Sequence, residues 1–357
     1  MGEFNGAMLR LARQFRGFHQ KELAELVGVD AAYLSRSENG ALEPSSLIVS
    51  KCAEALRVKK TFFEFGHRPA GLPLSFHSMW RKRQSVSQRE IDRVLADANI
   101  RALHLRALMP SIVFQPELVL PHYEPSEYGD DCREIAKLVR RAWSAPPGPL
   151  HNLTDYVERA GTFVFHADLD KIDVDGLSLR LPGLPPIIVL NRHLPADRMR
   201  FTLAHELGHL IMHLIPSPDM EKEANAFASG LLLPADDLRP YFRGRRIDVQ
   251  LLARLKPEWR VSMAALLYAA DELGYLGPGQ KQFLWKKFSA MGYRRIEPPE
   301  LDFPQESTSL DKGLIEAHLS ELKYTIGDIA EMLAIETDDI YEMYGLSKPR
   351  HGLRIVG

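Results

Sequence analysis

Cysteine is nearly missing from the chain: among 357 residues only Cys52 and Cys132 occur, far apart in sequence. Neither a disulfide framework nor a cysteine-held metal site is therefore expected. No charge of one sign dominates either, since 45 Lys and Arg stand against 47 Asp and Glu for a net charge of −2. A chain-wide basic surface is excluded, and any surface for nucleic acid must be local. No apolar run approaches the ~18 residues a membrane helix needs. The opening MGEFNGAM has no basic-then-apolar signal, so a cytoplasmic protein without membrane contact is expected. No internal repeat or low-complexity tract is evident. What is present is ordinary: 45% hydrophobic and 26% charged residues describe a globular protein, long enough for about two or three domains.

The most pointed signal is the segment FTLAHELGHL at 201–210. Residues four apart on a helix share a face, so His205 and His209 can hold one metal ion. Glu206 sits one step round, where its carboxylate can act on a water as general base. Phe201, Ala204, Leu207, Leu210, Ile211 and Leu214 have helical spacing, and Pro216 stops the run. A second helix is expected from Ser217 as cap and Pro218 in the first turn to about Pro234. On it Met220, Ala224, Phe227 and Leu231 form an apolar face, and Glu223 falls among them. A lone buried carboxylate is costly and a metal removes that cost, so Glu223 is expected as third ligand. Glu221 is assigned to the solvated face. The set His205, His209 and Glu223 leaves a fourth Zn2+ position open, as catalytic sites require. His213 and Asn225 are expected behind the ligands, and Asp219 and His193 are weaker polar candidates.

The first 65 residues carry a second signal, five short helices around a helix-turn-helix. QKELAELV at 20–27 reads as the positioning helix, with Leu23, Ala24 and Val27 inward. Gly28 supplies a left-handed turn and Asp30 a cap. Residues 31–39 form the candidate recognition helix, ended by Gly40. Ala31, Ala32, Tyr33 and Arg36 are the expected DNA contacts, Arg36 as guanine reader. Gln20 is placed for a phosphate, and Glu38 for a structural bond to an arginine or a helix end. One such domain binds weakly alone, so a homodimer on double-stranded operator DNA is expected.

The remaining chain divides by composition. A Gly/Pro linker spans Gly66 to Pro73, and Trp80 to Arg83 is a small basic cluster. One long helix follows over Ser87 to Met109, able to pack on the next domain or form a dimer seam. Another helix covers Asp130 to Trp143. Short strands are expected at Thr162–His166, Gly176–Leu181 and Ile187–Asn191, the last either a sheet edge where an extended substrate could pair or an ordinary buried strand. Helices are expected over Ile247–Leu255 and Ser262–Leu273, then a small helical tail past Pro299 that packs or assembles. The expected class is mainly α with a small β-sheet (α+β). The expected segments are 1–66 for DNA binding, 67–110 for linker and long helix, 111–275 for the metal domain and 276–357 for the helical C-terminal domain.

Three tracts together, QKELA at 20–24 with SRSENG at 35–40, RFTLAHELGH at 200–209 and EKEANAFA at 221–228, resemble the ImmA/IrrE family of metallopeptidases fused to an XRE-type (Cro/C1-like) helix-turn-helix. The resemblance implies a gluzincin-like fold, Zn2+ on His205, His209 and Glu223, and Glu206 as general base. It also implies a transcriptional regulator whose peptidase cleaves a helix-turn-helix repressor, or the chain itself, in response to a signal such as stress. The competing expectation is a non-proteolytic regulator whose zinc domain senses a ligand, or an antitoxin that holds a toxin partner.

Overall fold

The structure is a computed structural model that describes residues 2–71, 87–169, 172, 174–294 and 296–348. The basic cluster at 80–83 lies outside the described residues. By contacts the chain forms two units. One takes the described residues of 1–72, 85–114 and 309–357, and the other those of 115–308. The contacts thus draw the boundaries differently from composition: the segment 276–357 is divided at 308, and the long helix belongs with the N-terminal helices.

In the first unit, α1 (Gly6–Phe15), α2 (Gln20–Val27), α3 (Ala31–Glu38) and α4 (Ser46–Leu56) form the helix-turn-helix bundle, closed by a 3-10 turn at Lys60–Glu64 instead of a fifth α-helix. Gly28 ends α2 at φ 79°, a conformation only glycine adopts at little cost, and so permits the tight turn into α3. The Asp30 carboxylate accepts the Tyr33 N–H and starts α3. Gly6 is needed for a different reason: a Cβ there would lie 2.0 Å from the Ser37 carbonyl, so α1 meets the end of α3 backbone to backbone. Beneath this contact Arg13 grips Glu38 bidentately at 2.5 and 2.9 Å, both side chains buried.

The long helix α5 (Gln88–Leu108) opens on a Ser87–Glu90 capping box and packs on α1. It places Ile91, Val94, Ala98, Leu105 and Leu108 in the unit's interior. The C-terminal helices α14 (Leu310–Ser320), α15 (Ile326–Leu333) and α16 (Thr337–Met343) complete the same unit. Arg16, just past the end of α1, bonds both Asp339 carboxylate oxygens, and Val58 pairs with Ile335 in a lone β-bridge. The buried His104 ring meets the Tyr344 hydroxyl at 2.9 Å.

The second unit holds α6 (Cys132–Ala142), α7 (Leu153–Arg159), strands β1 (Phe163–Ala167), β2 (Gly176–Leu179) and β3 (Ile187–Asn191), then α8 (Ala196–Met212) and α9 (Met220–Leu232). α10 (Ala235–Phe242), α11 (Val249–Trp259), α12 (Met263–Glu272) and α13 (Pro278–Ala290) follow. The sheet order is β1-β3-β2, with β1 parallel and β2 antiparallel to β3. Of the two expectations for β3 the buried strand holds, since it is central and fully buried; β2 is an edge strand, its outer side facing no other strand among the described residues. Period-two alternation puts Gly176 and Ser178 on one face of β2. A Cβ on Gly176 would lie 2.9 Å from Thr202, so that face lies hard against α8. α9 is packed on two sides, against α8 and α6. Added Cβ atoms on Gly208 and Gly230 would come within about 3 Å of Phe227 and Arg133 respectively, which shows how close both approaches are.

Candidate metal centre and DNA-reading helix

α8 is buried almost all round, and from Asp197 to Met212 its open positions are Asp197, Arg198, Phe201 and His205. Three of these lie four residues apart and form one stripe that continues to His209. The His205 and His209 rings project from it toward each other, Nε2 to Nε2 at 3.1 Å.

The carboxylate that joins them is Glu221, not the expected Glu223. Its oxygens lie 3.2 Å from His209 Nε2 and 3.7 Å from His205 Nε2. His205, His209 and Glu221 form the one group among the described residues whose ligand atoms all lie close enough for a shared metal, within 4.8 Å of one another. The helix starts later than expected, with Asp219 as its N-terminal neighbour and no capping bond from Ser217. The decisive reason is packing. Glu221 and Ala224, three residues apart, share the side of α9 that meets α8 at Gly208, where an added Cβ would lie 3.0 Å from the Phe227 ring and 3.4 Å from the Ala224 Cα.

Glu223 serves instead behind the ligands. Its Oε2 lies 2.9 Å from His213 Nε2, and His213 Nδ1 lies 2.9 Å from His209 Nδ1. α8 ends at Met212, and the extended backbone of His213 turns its ring under His209. On the other side His205 Nδ1 meets the Asn225 side-chain oxygen at 3.1 Å. One proton assignment satisfies the three contacts behind the rings: His205 Nδ1 donates to Asn225, His209 Nδ1 to His213 Nδ1, and His213 Nε2 to Glu223. It leaves both ligand Nε2 atoms as bare lone pairs facing one another, an arrangement that a cation between them relieves. Histidine and carboxylate donors suit Zn2+, so the set fits that ion. Burial pushes the His213 imidazole down to about 3 and lowers His205 as well, keeping both rings neutral. Burial also raises Glu223, with repulsion from Asp219 adding to it.

Glu206 is buried beside this cluster, and Ser178 on β2 donates its hydroxyl to Glu206 Oε2 at 2.7 Å. Sequence reasoning did not single out Ser178, because its partner is brought to it by the sheet crossing α8. His193 is exposed and bonded to Asp168, and Asp219 sits at the start of α9.

On the helix-turn-helix, Ala31, Ala32 and Arg36 are exposed along α3 and Tyr33 is half-buried. Gln20 is not free for a phosphate in this arrangement, as its amide donates to Glu38 at 2.8 Å. Arg10 pairs with Asn39 and stands 3.6 Å from Glu38, so Glu38 gathers the structural bonds expected of it.

The family comparison covers the segments that carry both sites. The model for the IrrE N-terminal-like domain, a peptidase family, matches residues 157–271. A helix-turn-helix model matches residues 9–63. No curated protein matches the chain. Residues 9–63 are thus an XRE-type helix-turn-helix domain and residues 157–271 an IrrE/ImmA-like peptidase-family domain, joined in one chain.

Proposed function

We propose that the chain is a DNA-binding transcriptional regulator whose second unit is a zinc-dependent endopeptidase acting on a repressor, or on the chain itself. The observation that carries the proposal is the convergence of His205, His209 and Glu221, with Glu206 held beside them by Ser178. Zinc bound to this set supplies a Lewis acid for the scissile carbonyl and lowers the pKa of an attacking water. Glu206 takes that water's proton and returns it to the leaving amine. His213, Glu223 and Asn225 fix the ring orientations of the two ligand histidines. The outer edge of β2 offers unpaired backbone groups to an extended substrate, one strand away from Glu206. Exposed Arg36 on α3 reads the operator, and dimerisation supplies the second half-site.

The test is a comparison of wild type with Glu206→Gln, purified with zinc and mixed with helix-turn-helix repressors. Wild type cuts one of them and the variant, with equal metal content, does not. Equal cleavage by both would remove Glu206 from the mechanism.

A further inference from the structure

Four arginines and no acid stand between residues 238 and 247, and three lysines, two arginines and no acid between residues 273 and 296. Against a chain-wide net charge of −2, these two stretches of the second unit are a local surplus of positive charge. The fold brings them together. The Tyr275 hydroxyl, in the loop before α13, bonds the Arg239 carbonyl. The Gln280 amide, in the first turn of α13, donates to the Ile247 carbonyl at 3.0 Å.

The first stretch is an anchored turn. The Arg243 N–H bonds the Arg239 carbonyl at the end of α10, so the two arginines lie one turn apart on one side. Gly244, at φ 69°, reverses the chain, and the Arg245 N–H bonds the Phe242 carbonyl. Phe242 and Ile247 are both buried and pin the two ends, so Arg243, Arg245 and Arg246 are presented from a short held loop. These three and Arg239 are exposed, and none has an ion pair among the described residues. The acids around them are engaged elsewhere. Asp236 meets Lys137, Asp237 accepts the Gly148 N–H, Asp248 caps α11 and Glu258 accepts the Tyr241 hydroxyl. On α13 Lys281 is matched by Asp271, and the stripe from Gln280 passes through exposed Phe283 to exposed Lys287.

We propose that this surface grips the phosphate backbone of duplex DNA, a second DNA contact in addition to α3 and one that reads no sequence. Arginine forks match phosphate oxygens in pairs, and bonds to phosphate fix position without sequence information. The chain already carries a helix-turn-helix domain, so duplex DNA is the polyanion it meets. A single strand calls for a row of aromatics on which successive bases stack, and this stripe exposes one, Phe283. A bilayer calls for a free apolar helix face, and α13 buries Leu284 and Phe288 in the core. The inference adds to the DNA-binding reading and is independent of peptide cleavage.

The test is fluorescence anisotropy of the full chain on a random-sequence duplex at several salt concentrations. Each phosphate contact contributes about 0.9 to the slope of log affinity against log salt. The triple variant Arg243→Ser, Arg245→Ser, Arg246→Ser should therefore have a slope shallower than wild type by about two to three. The same three positions changed to Lys should keep most of the slope. Arg141→Ser with Arg159→Ser removes two surface cations elsewhere in the unit and should change the slope by less than about one. Circular dichroism verifies that each variant is folded. An unchanged slope in the triple Ser variant overturns this contact alone, and so does an equal loss in the Arg141, Arg159 variant. Tighter binding of an oligothymidine, lost in the triple Ser variant, would make the patch a single-strand site. Binding of phosphatidylserine vesicles, lost in that variant while duplex binding is unchanged, would make it a membrane contact. Either result overturns the assignment to duplex DNA. A wild type that binds no DNA overturns this contact and the DNA-binding reading together.

Discussion

Glu221 and Glu223, two residues apart on α9, stand on opposite sides of the histidine cluster: Glu221 faces the Nε2 atoms of His205 and His209, and Glu223 bonds His213 behind them. Glu221 lies 3.2 Å from His209 Nε2, and Glu223 reaches the opposite side of the same ring only through His213. The order of effects on metal binding follows from this geometry. Glu221→Ala should lose zinc outright under dialysis, whereas Glu223→Gln should retain it with affinity reduced about 10- to 100-fold. Elemental analysis and competition with a chelator separate the two; loss in Glu223→Gln with retention in Glu221→Ala would reverse the assignment.

Ser178 makes a neutral-to-charged hydrogen bond that the Glu206 carboxylate loses in Ser178→Ala. Such bonds contribute about 1.5–3 kcal/mol, so kcat should fall about tenfold or more while zinc content and KM stay near wild type. Steady-state kinetics on the first substrate found would settle it. A rise in KM at constant kcat would instead place Ser178 in substrate binding.

Arg13 and Glu38 form a buried bidentate pair in the helix-turn-helix core. Removing one partner leaves an uncompensated buried charge, and Glu38→Ala should destabilise the first unit by about 3–5 kcal/mol. The double substitution Arg13→Met with Glu38→Met should cost less than the single one. Denaturant unfolding followed by helix circular dichroism provides the measurement.

His104 gives the first unit a pH dependence. Burial pushes its pKa down to about 3, from an ordinary value of 6.5. The unfolded chain therefore binds more protons than the folded one between those values, and stability is lost as pH falls below about 6.5. The slope from this group approaches about 1.4 kcal/mol per pH unit. Melting curves at pH 7 and pH 5 should differ in wild type and differ less in His104→Gln.

Arg36 is exposed on the recognition helix, whereas Gln20 is tied to Glu38. Arg36→Ala should weaken operator binding by about 1–3 kcal/mol and relax preference at one base position. A gel-shift series with single-base operator variants checks it. Uniform weakening at every position would make Arg36 a phosphate contact.

Much of this was legible from local spacing. HELGH on an amphipathic run placed His205, Glu206 and His209 together because all three lie on one helix, and Gly28 with Asp30 specified the turn between α2 and α3 for the same reason. The place of Glu221 beside the two histidines was not legible from the large apolar residues alone, since α9 packs against both α8 and α6. Ser178 and the centrality of β3 depend on strand order, which no single segment encodes. The contact between Arg16 and Asp339, 323 residues apart, lies beyond any local pattern.

That last contact bears on how the protein is made. The bundle that begins at Gly6 is completed by helices ending at Met343, so its interior is closed only after residues 115–308 have left the ribosome. At ordinary synthesis rates the wait is on the order of tens of seconds. Meanwhile residues 115–308 emerge as an uninterrupted stretch with a core of their own. Translation order therefore delivers a finished peptidase-like unit before a finished DNA-binding one. A message broken late would yield the former without the latter.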